Sequence, residues 1–219
     1  MNTRIYILQN TDNFYFNKIS EQEKESFLLS CDEIDGVDFI SNQETEINQV
    51  KNMAKNNLKV NGIVYGDLTQ SINDRLNLKK LADKFWDNSR ELDNVWGQVP
   101  EIYLNQVKEL INKTYSNIDL SNETKGDNVV LLNRENVNKL LAWQCSEQKG
   151  YKRTIIVEVI GAKGNSLYIF ENMEIYDFQE SSNSLIGNGT FEMILKKSLT
   201  SNQNYEFYIS KEKLAGIPL

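Results

Sequence analysis

Residues 136–145 read NVNKLLAWQC, residues 154–159 read TIIVEV, residues 166–178 read SLYIFENMEIYDF, and residues 190–197 read TFEMILKK. Polar or glycine-bearing breaks separate the four segments. In the first, Val137, Leu140, Leu141 and Cys145 fall on one face at helical spacing. Asn133 stands where it could cap a helix with residues 134–145 as its body. The second is rich in β-branched residues, which fit a pleated surface. Ile155, Val157 and Val159 share one side, and Ile156 and Ile160 the other, with Glu158 between them. A strand apolar on both faces belongs at the centre of a sheet or at an interface. Gly161-Ala-Lys-Gly164-Asn165 reads as a turn. Residues 166–170 return as a strand, and residues 173–178 continue it, with Tyr176 and Phe178 opposite Met173 and Ile175. Residues 180–189 read as a loop. In the closing segment Phe191, Met193 and Leu195 alternate with Glu192 and Lys196. The stretch is therefore one helix followed by an antiparallel meander.

Outside this stretch the patterns are shorter. Residues 4–8 alternate around Ile5 and Ile7, and residues 13–19 around Phe14 and Phe16, which predicts a hairpin. Residues 21–29 predict a short helix, and residues 37–40 a strand after a turn. Residues 43–57 predict a helix with Ile47, Val50 and Ala54 on one face. Residues 58–65 predict a strand interrupted at Asn61-Gly62. Residues 68–92 give the longest helical pattern, with Leu78, Leu81, Ala82, Phe85 and Leu92 as its apolar stripe. Pro100 suits the first turn of a further helix to residue 115, burying Ile102, Val107, Leu110 and Ile111. The polar run 117–128 marks a boundary, and residues 205–209 predict a last strand. Residues 211–219 end in an apolar tail.

The expected fold class is α+β. It comprises an N-terminal β/α portion (1–66), a helical segment (67–125) and an antiparallel, barrel-like C-terminal sheet with one packed helix (126–219).

Composition narrows the chemistry. The chain has 219 residues, 40% hydrophobic and 25% charged, as in an ordinary globular protein. No apolar run reaches membrane-spanning length, and the first residues, MNTRIYILQN, do not read as a signal peptide. Net charge is −7 with no basic patch, a poor match for nucleic acid or an anionic membrane. Histidine is absent. That removes Ser-His-Asp and Cys-His catalysis, His-ligated zinc and the HExxH proteases. Two cysteines, Cys31 and Cys145, read as reduced thiols and are too few for a zinc site.

Candidate motifs fail on spacing. In residues 31–42 Gly36 would hold the sixth place of a calcium loop, but Cys31 would be first ligand and Asn42 the last. Gly161-Ala-Lys-Gly164-Asn-Ser lacks the P-loop spacing and precedes a strand. Glu44 with Glu46, and Glu171 with Glu174, are close carboxylates of a kind that 31 acidic residues produce by chance. Trp86, Trp96 and Trp143 read as packing residues rather than a stacking surface. No cofactor, metal or catalytic residue is expected.

The order of elements in residues 128–199 resembles the second half of the tube protein of type VI secretion systems, the haemolysin-coregulated protein, and the related phage tail-tube proteins. In that family a helix likewise precedes a strand, a glycine turn, a second strand, and an acidic-Asn step into a strand with a spaced aromatic. Here the step is Glu171-Asn172-Met173-Glu174-Ile175-Tyr176-Asp177-Phe178. The polar loop 181–189 and closing strand 191–197 match the family's ending. The resemblance rests on pattern and spans about a third of the chain.

It implies a sheet curled into a tube-protein-like barrel. It also implies a non-catalytic subunit, as tube, adaptor or baseplate component, of a phage tail or contractile injection machine. Partners would be further copies or other tail and secretion subunits. The protein would be cytoplasmic, or assembled into a particle and exported with it. Residues 68–118 have no counterpart in a minimal tube subunit and read as an insertion, which suits an adaptor or a specialised tube protein. The expected interface residues are Ile155, Val157, Tyr176, Phe178, Leu214, Ile217 and Leu219. Small size, acidic charge and absent catalytic chemistry equally suit an alternative, a soluble cytosolic binding protein such as an immunity protein that neutralises a protein toxin; a third class is an enzyme that works with carboxylates alone.

Overall fold

The computed structural model describes residues 2–10, 25–43, 54–66, 94–116, 125–145, 151–161, 165–182, 188–197 and 206–209. Among the described residues eight strands form one antiparallel sheet: β1 (Asn2–Gln9), β2 (Phe27–Leu29), β3 (Ile34–Gln43), β4 (Ala54–Val64), β5 (Arg153–Ile160), β6 (Ser166–Ser182), β7 (Gly189–Lys197) and β8 (Glu206–Ile209). Among the described residues the helices are α1 (Glu101–Ser116) and α2 (Lys125–Cys145), and a 3-10 turn covers Asn94–Gln98. The spatial strand order is β2-β1-β5-β6-β7-β4-β3, with β8 beside β6. The fold is α+β, a helix-packed antiparallel sheet.

The meander is the middle of this sheet. β5 pairs with β6 and β6 with β7, each with its sequence neighbour. β5 is central, because β1 pairs along its whole length from Asn2↔Ile160 to Gln9↔Arg153. Its two apolar faces feed two cores. Ile155, Val157 and Val159 join Ile5, Ile7, Val137, Leu140 and Trp143, so α2 covers that face. Ile156 joins Tyr6, Leu8, Leu167, Ile169 and Trp96, under the 3-10 turn and α1. Full burial of one such side chain contributes on the order of 1.5–3 kcal/mol, and β5 has them on both sides.

β6 is a single 17-residue strand with two irregularities. Against β5 the pairing moves from Ile155↔Phe170 to Arg153↔Met173, which leaves one extra residue in β6. Asn172 has φ 58° there, a left-handed conformation that asparagine tolerates. Against β7 the pairing jumps from Ile175↔Leu195 to Asp177↔Ile194, so Tyr176 is the extra residue of a β-bulge. Each extra residue reverses the side-chain alternation. Phe170, Met173, Ile175 and Phe178 therefore all face the α2 core, while Tyr176 is 65% exposed. The expectation that Tyr176 and Phe178 share a face fails for this reason.

The two bulges also bend the sheet. It curls far enough that Phe39 of β3, a strand at one end of the sheet order, meets Tyr168 and Phe170 of β6 at ring-centroid distances of 4.6 and 5.7 Å. β2 and β3, at the two ends of that order, are joined by a turn closed by the Glu33 N–H donating to the Ser30 carbonyl.

Other expectations need correction. Phe27–Leu29 is a strand paired to Ile5–Ile7, not the end of a helix. Residues 54–57 belong to β4 and Gln43 to β3, not to a helix. In both places strand pairing, of Phe27–Leu29 with β1 and of residues 54–57 with β3, overrides the local helix pattern. β4 also runs unbroken through Asn61-Gly62. A side chain at Gly62 would lie 2.3 Å from the Phe191 ring and 2.6 Å from the Glu33 carbonyl oxygen, so the glycine is required by close packing. α2 begins at Lys125, which places Asn133 inside the helix rather than at its cap, and residues 125–128 are helical rather than boundary. Ile102 is 60% exposed on α1, and Cys145 is exposed on α2.

Strands from residues 1–66 and 126–219 share the one sheet. The predicted strand 13–19, residues 21–24 of the predicted helix 21–29, residues 44–53 of the predicted helix 43–57, the helix 68–92 with Trp86, residues 117–124 and the tail 211–219 lie outside the described residues.

Candidate functional site

α2 meets the sheet through a polar joint rather than through leucines alone. Asn133, Asn136, Val137 and Leu140 fall on one helical face, and all four are buried. The Asn133 side-chain oxygen accepts from the Tyr65 backbone N–H at 2.8 Å, and its Nδ2 donates to the Ile63 carbonyl at 2.9 Å. The helix thus satisfies the backbone at the end of β4, as a neighbouring strand would. Asn136 Nδ2 donates to the Leu28 carbonyl of β2 at 2.8 Å.

Both asparagines also donate to Glu33, which is 3% exposed. Its Oε1 accepts from Asn133 and Asn136 Nδ2 at 3.1 Å each, and its Oε2 accepts from the Ser30 N–H at 2.7 Å. Burial raises the Glu33 pKa, and the bonds from Ser30, Asn136 and Asn133 oppose the rise without cancelling it. The Tyr65 hydroxyl donates to the Asp32 carbonyl at 2.7 Å and completes the joint.

Beside this joint, α1, α2 and β2 enclose a groove of about 240 Å³, walled by Phe27, Leu110, Leu131 and Leu132. Glu25 joins its two helices through ion pairs. Glu25 accepts from Lys113 of α1 and, at 3.0 Å, from Lys139 of α2. Lys139 also meets Glu135 at 2.8 Å. Burial pushes the Glu25 carboxyl up, but the two lysines outweigh it, and its pKa lies below the ordinary value.

A second buried carboxylate, Glu158 of β5, lies under the 3-10 turn and is fully buried. Four donors reach it: Tyr6 hydroxyl (2.9 Å), Trp96 Nε1 (3.1 Å), Asn165 Nδ2 (2.9 Å) and Arg4 Nη1 (3.4 Å). A buried charge is tolerated when paired and hydrogen-bonded in this way. The cluster ties β1, β5 and the 3-10 turn together. Arg153, 1% exposed, lies among the Phe27, Trp143 and Tyr151 rings at 5.2–5.6 Å and donates to the Glu25 carbonyl.

These groups hold elements together; none is posed as a nucleophile beside a base. Burial pushes the Cys31 thiol up, away from the thiolate that reacts. Glu171 accepts from Tyr103, and Glu174 lies opposite Lys196 in the β6–β7 register. Among the described residues no group of three or more Cys, Asp and Glu is placed to hold a metal ion. No helix among them is long and apolar enough to cross a membrane.

The expected interface residues divide. Ile155 and Val157 are fully buried under α2, and Phe178 is buried against Phe191, ring centroids 5.8 Å apart. These three serve the chain's own core, a correction with a simple cause: α2 and the curled sheet cover the face that looked open. Tyr176 alone of the described four is exposed, with the Lys196 ammonium 3.0 Å from its ring centroid. Leu214, Ile217 and Leu219 lie outside the described residues. The two polar joints were not anticipated. Their signal was polar residues at core positions, namely Asn133 and Asn136 on the apolar face of a helix and Glu158 in an apolar strand.

No family model matches the chain, and no curated protein or solved structure matches it either.

Proposed function

We propose that the protein is a non-catalytic structural subunit of a phage tail or of a contractile, type VI-like injection machine, as tube, adaptor or baseplate component. It acts in the cytoplasm or in the particle it joins, without cofactor, nucleic acid or membrane, and its partners are further copies or other tail subunits. The observation that carries this reading is the helix-then-meander unit: α2 shares one core with β5, β6 and β7, which pair in sequence order. The resemblance to tube proteins rests on this same order of elements. The commitment of Glu33 and Glu158 to structural hydrogen bonds favours a non-catalytic role. Measuring mass in solution against concentration, then imaging the particles, tests the proposal: assemblies support it.

One observation favours the second reading, an immunity protein that binds a single toxin. Ile155, Val157 and Phe178 are buried in the core, and of the four described interface candidates only Tyr176 is exposed. A self-contained monomer with a one-partner surface suits that pattern. A strict monomer that captures one toxin tightly would replace the assembly reading with this one.

A further inference from the structure

We draw no further inference here: the strongest candidate, the groove between α1, α2 and β2, has Glu25, Lys113, Lys139 and Glu135 engaged in ion pairs with one another, and nothing in the structure shows what covers it.

Discussion

Asn133, in the interior of α2, accepts a hydrogen bond from the backbone N–H of Tyr65 at 2.8 Å and donates to Glu33 at 3.1 Å. One side chain thus joins a helix, the end of β4 and the turn between β2 and β3. Asparagine is a poor helix-interior residue because it competes for backbone hydrogen bonds. Here that capacity is spent on another element's backbone. Asn133→Leu would strand the Tyr65 N–H, the Ile63 carbonyl and part of the Glu33 shell. At roughly 1–3 kcal/mol for each buried group left unpaired, the loss should reach about 3 kcal/mol or more. Urea denaturation measures it, and a loss below about 1 kcal/mol would mean that the joint does not hold α2 to β4.

Leu140 is fully buried, whereas Leu141 is only partly so. Leu140→Ala should cost about 2–5 kcal/mol, as for a truncated core leucine, and Leu141→Ala clearly less. Equal losses at the two positions would contradict the orientation of α2.

Gly62→Ala tests the close approach of β4 and β7. The added methyl would meet the Phe191 ring at 2.3 Å and the Glu33 carbonyl oxygen at 2.6 Å. Overpacking of this kind costs on the order of 1–3 kcal/mol. Adding Phe191→Leu should relieve only part of that, because the carbonyl remains. A Gly62→Ala protein as stable as the wild type would show that the strands have room to part.

The two perturbed carboxylates have opposite pH signatures. The Glu33 pKa is raised on folding, so its contribution is present below the unfolded value near 4.5 and is lost as pH rises through the folded value. The Glu25 pKa is lowered, so its contribution is present above that value and is lost as pH falls through the folded one. Glu33→Gln should remove a fall in stability with rising pH. Glu25→Gln should flatten the acid limb. Stability measured from about pH 3 to pH 8 for the three proteins reads both slopes. A wild-type slope unchanged by Glu33→Gln would mean that Glu33 titrates as an ordinary glutamate.

Much of this architecture was legible wherever local pattern and tertiary demand agree. Ile155, Val157 and Val159 alternate with Ile156, and both faces are used, the three under α2 and Ile156 beside the 3-10 turn. Phe191, Met193 and Leu195 face the core as their spacing requires. What was not legible depends on distant partners. Phe27–Leu29 becomes a strand only because β1 offers an edge. The bulge at Tyr176 leaves no periodic signature, since one inserted residue merely reverses the phase, and it was enough to misplace Phe178. The Glu158 cluster needs Arg4, Tyr6 and Trp96 from segments far away in the chain. A lone glutamate in an apolar strand signals that partners exist without naming them.

Assembly is the claim on which the functional account stands, and sedimentation of the purified full-length chain over increasing concentration tests it most directly. The account predicts a mass that rises from monomer to a defined multimer, with ring-like or tail-like particles visible by electron microscopy. Tyr176→Ser, at the exposed bulge, is expected to weaken that assembly while leaving the monomer folded. A monomer at every concentration, binding no tail component but binding one protein toxin tightly, would contradict it.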